Sequence, residues 1–321
     1  MEKQLQKKSF LGLFSKFGIV IILVLICIAL SILSPSFLKI NNLLNVLRQV
    51  SITGVIAVGM TFVVVTGGID LSVGSIAGMT AMVATSLSHP GQFPVIVPVV
   101  CGLLVGIAAG VLNGFLAAYE EIPPFITTLG LMTALRGACL LYNNGRPIID
   151  VGDAYTKIGG GKLFGIPYPV IIFIVIIAIG TFVLKCTRYG RYVYAIGGNE
   201  RAAKVSGINV KAIKLSVYVI AGFCAALSGI IVSSRVMSGS PSAGEGYEMD
   251  AVTACVIGGA SLSGGEGGVL TTVIGALIIG VISNGLDLLK VSSYWQQIVK
   301  GVIIVAAVLI DSKTKKARNT K

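Results

Sequence analysis

Charge is what this chain has least of. Of its 321 residues, 12% are Asp, Glu, Lys or Arg, against 55% hydrophobic. Soluble domains carry roughly a quarter charged residues, so this chain has too few to clothe a globule. Its mean hydropathy of +0.91 points the same way, and its outer surface must face lipid. Histidine is reduced to one, His89, which leaves scattered serines without a base and argues against a catalytic triad. The six cysteines, at 27, 101, 139, 186, 224 and 255, have no CxxC spacing. They read as reduced, small hydrophobes rather than a zinc site or a disulfide framework. A GxxxxGK[ST] phosphate loop is missing. The nearest fragment, Gly159-Gly160-Gly161-Lys162-Leu163, lacks the hydroxyl residue. No catalytic residue, metal or cofactor is therefore expected in this chain, and any ATP chemistry must reside elsewhere.

What the chain does have is long apolar runs and 41 glycines, a residue more frequent in membrane helices than in soluble ones. Each crossing needs about 20 apolar residues. The runs read as ten spans: 17–34, 50–66, 70–88, 94–118, 123–142, 167–185, 213–234, 248–262, 267–286 and 294–310. The expected fold is an all-α polytopic membrane protein. A cytoplasmic segment 1–16 precedes a transmembrane region 17–310, and a basic tail 311–321 follows it. The first run follows a basic N-terminus but has no small-residue cleavage site, so it is expected to be a retained span rather than a signal peptide.

The net charge of +12 would fit a nucleic-acid binder only if it formed one patch. Instead it flanks the apolar runs, as orientation signals do. Sixteen of the 25 basic residues lie in three regions. The N-terminus holds Lys3, Lys7, Lys8 and Lys16. Segment 185–214 holds Lys185, Arg188, Arg191, Arg201, Lys204, Lys211 and Lys214. The tail holds Lys313, Lys315, Lys316, Arg318 and Lys321. Both termini and that segment are placed in the cytoplasm. Loops 143–166 and 235–248, the latter with Glu245 and Glu248, then fall outside. Arg136 and the Glu120–Glu121 turn fit this scheme less neatly.

Two segments share the pattern GGxxLSxG: 67–74 and 258–265. Paired glycine-interrupted spans point to an internal repeat and to broken helices beside a translocation path, here Gly67, Gly68, Asp70, Ser72, Gly258, Gly259 and Ser263. The plainer reading is that these residues let helices approach closely, with Asp70 capping a helix. Asn113 and Asn284, polar residues in apolar spans, read first as bonds between helices, with contact to the hydroxyls of a translocated solute as the alternative. Tyr294 and Trp295 read as interfacial anchors.

The most specific run is Gly197-Gly198-Asn199-Glu200-Arg201-Ala202-Ala203-Lys204-Val205-Ser206-Gly207-Ile208-Asn209. Asn199 is placed to cap a short helix, with Glu200 in its first turn. Gly207 is placed to end it in the left-handed conformation. A helix of about two turns is marginal alone, so it needs something to order it: headgroups, or a docked soluble protein.

This run resembles the coupling loop of the ribose-type branch of ABC importer permeases. The resemblance extends to TGGIDLSVG (66–74), VLNGFL (111–116), IPPFITTLG (122–130), ALRG (134–137) and IGGASLSGGEGG (257–268). It implies a permease subunit in a bacterial inner membrane that translocates a small sugar, ribose first among the expectations. It also implies a second permease subunit, expected to be identical, and a cytoplasmic ATPase that carries ATP and Mg. An extracytoplasmic sugar-binding protein completes the set. The coupling loop becomes 185–212, with Gly198, Asn199, Glu200, Arg201, Ala202, Ala203, Lys204, Ser206 and Gly207 meeting the ATPase. The small side chains Ala202 and Ala203 are expected to insert into that partner. Arg48, Arg146, Lys157 and Lys162 are candidates for docking the binding protein. An ion-coupled secondary sugar transporter is the alternative, with Asp70, Glu266 and Asp287 as its acids. A channel or membrane enzyme fits less well, since no acidic ring or filter-like loop is evident.

Overall fold

A computed structural model describes residues 2–319, with side-chain detail from residue 18 to 309. The basic side chains of the N-terminal segment and of the tail 311–321 lie outside that description. Among the described residues the chain is all-helical, apart from a ribbon of two short antiparallel strands, β1 (Lys162–Leu163) and β2 (Ile166–Pro167). Six helices are long and apolar enough to cross a membrane: α2 (Ile40–Val65), α4 (Ile96–Ala118), α5 (Pro124–Tyr142), α7 (Tyr168–Cys186), α10 (Val210–Val236) and α12 (Val269–Leu288). Three further helices are α1 (Glu2–Leu33), apolar over Gly18–Leu33, α11 (Tyr247–Ile257) and α13 (Ser293–Asn319). The helix α3 (Val73–Ser86) has 14 residues and α11 has 11. At 1.5 Å per residue they reach about 21 and 17 Å, short of a roughly 30 Å hydrocarbon core. Each of the ten expected spans thus falls on a helix, but two of those helices are half-length.

The bundle is built around α10, which packs against α4, α2 and α3. Glycine spacing explains the α4 contact. Gly106, Gly110 and Gly114 recur every fourth residue, and a β-carbon on any of them would collide with the α10 backbone at Gly222, Tyr218 or Leu215. Such small-xxx-small faces are what let membrane helices touch, since apolar burial does not drive association within lipid. On its α2 side, α10 sends the Ser228 hydroxyl to the Ile52 carbonyl at 2.7 Å. The polar span residues settle as bonds between helices. Asn42 and Asn284 exchange two bonds of 3.0 Å.

Beyond α10 the chain leaves the helix through Met237 in the left-handed region, and 235–248 does not stand clear of the helices as a simple loop. Gly239 pairs with Ile148 and lies over Ala81 and Thr85 of α3. Ala243 lies beside Gly78, and Gly244 and Glu248 lie beside Gly74. The segment re-enters the bundle alongside α3 and hands over to α11 near the start of α3. Hydropathy could not show this, because short stretches of Ser, Gly and Pro read as loop at any depth. Arg136 of α5, the residue that fitted poorly, accounts for it. Its Nη1 donates to the carbonyls of Pro241 at 2.6 Å and Ala243 at 3.0 Å. Irregular backbone at membrane depth needs protein or water partners of this kind.

The bundle has two distinct ends. One carries loop 87–95, α6 (Asp153–Gly160), the β-ribbon and the far end of α10. The other carries the turn 119–123, α8 (Arg188–Gly198), α9 (Glu200–Val205) and segment 258–268.

Candidate functional site

The short helix α9 forms as the residues dictate. Asn199 Oδ1 accepts from Ala202 N at 3.0 Å. At the other end Gly207 has φ +81°. Gly207 N donates to Lys204 O, and Ile208 N donates to Ala203 O, both at 3.1 Å. This pair of bonds closes a helix when a glycine takes the left-handed turn, and the apolar contact of Ile208 with the Ala203 group completes it. Lys214 Nζ reaches Glu200 Oε2 at 2.6 Å.

Burial then divides the helix. Asn199, Glu200, Arg201, Ala202, Lys204, Ser206 and Gly207 are exposed, as is Gly198, and Val205 is 89% exposed. Ala203 is 4% exposed, enclosed by Ile196 and Val210. The expectation that Ala202 and Ala203 enter a partner together is therefore corrected. Ala203 anchors α9 to its own chain, because a two-turn helix needs an apolar side to hold it, and Ala202 is left on the free face.

The helix α8, which lies in the stretch expected to be loop, supplies the seat. Thr187 caps it by accepting from Gly190 N at 3.2 Å, and Gly190, Val193 and Ile196 form its buried side. The signal was present in that i, i+3, i+6 spacing but was masked by the surrounding Arg and Tyr residues. Two tyrosines fasten α8. Tyr194 OH donates to Gly267 O at 2.7 Å, and Tyr189 OH pairs with Ser216 Oγ at 2.7 Å.

Its last residues meet both GGxxLSxG segments. Gly265 N donates to Val65 O at 2.9 Å. A β-carbon on Gly264 would lie 2.9 Å from both Gly197 O and Gly67 N, and one on Gly197 would overlap Val65 O. Gly264 also holds φ +84°, so only glycine serves there without strain. Three backbone stretches (65–67, 197–198 and 264–265) are thereby joined with no side chain between them.

The seven path candidates divide. Gly67 lies against Ser263, so the two segments do meet. Asp70 and Ser72 are wholly buried. Asp70 Oδ1 accepts from Ser72 N at 2.9 Å and from Ser72 Oγ at 2.6 Å, and Asn113 Nδ2 donates to Ser72 Oγ at 2.8 Å. The first residue of α3 is Val73, so Asp70 holds the turn before the helix rather than serving as its cap residue. Gly68 lies under the Tyr218 hydroxyl, Gly258 against α12, and Gly259 in open space. The left-handed glycine is the first of the pair at Gly67 and the second at Gly259. The repeated sequence thus takes two different backbone paths.

At the opposite end, Arg146, Lys157 and Lys162 are exposed. Arg48 is half-buried two turns inside α2, with its Nε buried and unbonded.

The sequence matches known proteins along nearly all of its length. The family described as "Branched-chain amino acid transport system / permease component" matches residues 42–308. The ribose import permease protein RbsC of Bacillus subtilis is 47% identical over 98% of each chain. That of Haemophilus influenzae is 45% identical over 91% of each. The xylose transport system permease protein XylH of Haemophilus influenzae is 37% identical over 88% of this chain and 91% of its own. No solved structure matches the chain. On the match across its length and on its apolar helical architecture, this chain is an integral membrane protein and belongs to the branched-chain amino acid transport system permease component family.

Proposed function

We propose that this chain is the membrane-spanning subunit of an ATP-driven importer for a small sugar, with ribose as the substrate. Ten segments make up its membrane part, α3 and α11 entering as broken halves. Both termini and the α8–α9 end face the cytoplasm, as the clustered basic residues favour. A second copy of the chain completes the pathway. A separate ATPase docks on α9, and a sugar-binding protein docks at the α6 end, where Arg146, Lys157 and Lys162 are exposed.

The observation that carries this reading is the glycine junction. The exposed face of α9 is stiffly seated, through Ala203, on α8, and α8 is joined backbone to backbone to the breaks after α2 and after α11. A push on α9 therefore passes through the packed Ala203–Ile196 contact into α8, and from α8 reaches two helix breaks through backbone alone. Helix breaks joined through backbone in this way suit rigid-body coupling to an external motor better than an ion relay, which needs chains of ionisable groups.

The relatives' names favour a pentose over an amino acid. The test uses the chain purified with its ATPase and binding protein in proteoliposomes. ATP hydrolysis is expected to rise with D-ribose, less with D-xylose, and not with L-leucine. Stimulation by L-leucine and not by either sugar would overturn the substrate class.

A further inference from the structure

Between the far end of α10 and the re-entrant segment lies a cavity of about 230 Å³. Its polar lining is Ser233, Ser238, Ser240, Ser242, Glu245 and Tyr247. Four hydroxyls, a carboxylate and a phenol converge here in a chain that is 55% hydrophobic. Ser233 is already engaged, with Tyr155 OH at 2.7 Å. Ser240 Oγ and Ser242 Oγ lie 2.9 Å apart. Ser240 Oγ also accepts from Ser242 N at 3.3 Å, and one hydroxyl donates to the other, which leaves the second O–H and the unused lone pairs for a ligand.

Depth adds a second argument. Gly244 adjoins Gly74, close to the inner start of α3. Glu245 therefore lies roughly 18 Å along α3 from its outer end, at 1.5 Å per residue. An exposed carboxylate at that depth is too costly to leave against lipid. The mouth of the cavity must face water or a protein surface. Its volume sits below the roughly 300–1,000 Å³ of sites for drug-sized ligands, which matches a single sugar ring and not a disaccharide. The walls are held by Arg136 through the Pro241 and Ala243 carbonyls, so the serines are presented by a braced segment.

Resting on the function proposed above, we infer that this cavity is the sugar's transit site in the membrane. Ser240, Ser242 and Glu245 exchange hydrogen bonds with its hydroxyls. The few available groups hold the sugar loosely, as a path must if the solute is to leave.

The test modifies the site after assembly, so folding does not intervene. In a cysteine-free transporter reconstituted with its ATPase and binding protein, Ser242→Cys is reacted with a bulky thiol reagent, with Ile174→Cys on the outer face of α7 as control. D-ribose uptake is expected to fall at least tenfold at position 242 and not at 174, while ATP hydrolysis stimulated by loaded binding protein persists. Glu245→Gln is expected to lower uptake severalfold with hydrolysis retained. Uptake within twofold of the control after complete modification would overturn the assignment. So would joint loss of uptake and hydrolysis, which would place the cavity among the moving parts instead. Absence of D-ribose uptake before modification would instead count against the function itself.

Discussion

At Ala203 a single methyl group is surrounded by Ile196, Val210 and Ile208, whereas Ala202, one position earlier, is exposed. The two substitutions to aspartate therefore separate structure from coupling. Ala203→Asp buries an unpaired carboxylate at a cost of several kcal/mol, and is expected to lower the melting temperature of the purified permease. Ala202→Asp is expected to leave melting unchanged and to weaken ATPase co-purification at least tenfold. Equal ATPase binding by Ala202→Asp and the parent would remove α9 from the docking surface. Glycines divide in the same way. Gly68→Leu places its side chain against the Tyr218 hydroxyl, where a β-carbon alone would lie 2.6 Å away. Gly259→Leu enters open space and bears only the strain of φ +82°, about 1 kcal/mol. Uptake, corrected for protein level, is expected to fall much further for Gly68→Leu, with Ile174→Leu unchanged. Equal effects would mean that the contact with Tyr218 is unimportant. Individual caps such as Asn199 and Gly207 were legible in the sequence because their chemistry is local. Which face of α9 is buried was not, since that depends on α8 and on the start of α10.

Elements follow the same division. Every long apolar run became a helix, because periodic apolar sequence and the need to satisfy backbone groups in lipid leave little else. The half-length of α3 and α11, and the descent of 238–246 between them, were hidden, because the partners of that segment come from α3 and α5, distant in sequence. Arg136 was the one residue that marked it, a charge with no place in a simple span. Its bonds from a charged donor contribute on the order of 1.5–3 kcal/mol each. Arg136→Met is expected to release the re-entrant segment without unfolding the bundle. A cysteine at Ser240 should then react faster with a thiol reagent, while helix content by circular dichroism stays constant. Unchanged reactivity would show that the segment is held by its glycine contacts with α3 alone. The glycine ladder of α4 was present in the sequence as a four-residue spacing, yet its partner on α10, a hundred residues away, could be read only from the fold.

Across the whole molecule, two features share elements. The α8–α9 seat is joined to the breaks beside α2 and α11, and the segment that feeds α11 walls the hydroxyl-lined cavity. A displacement of α8 would thus reach the cavity by way of 264–265 and α11, through backbone contacts. Family membership was legible from motifs spread along the chain, whereas this route was not, because it depends on three glycine stretches meeting in space. On the function proposed above, force from a separate ATPase, rather than an ion gradient, drives sugar across this bundle. The most direct measurement of this is uptake of labelled D-ribose into proteoliposomes containing the permease, its ATPase and the binding protein. ATP is supplied on the ATPase side, and all ion gradients are collapsed by ionophores. Uptake is expected to require ATP and the ATPase, to survive the ionophores, and to be lost in Ala202→Asp. Uptake driven by an imposed proton or sodium gradient in the absence of the ATPase would contradict this.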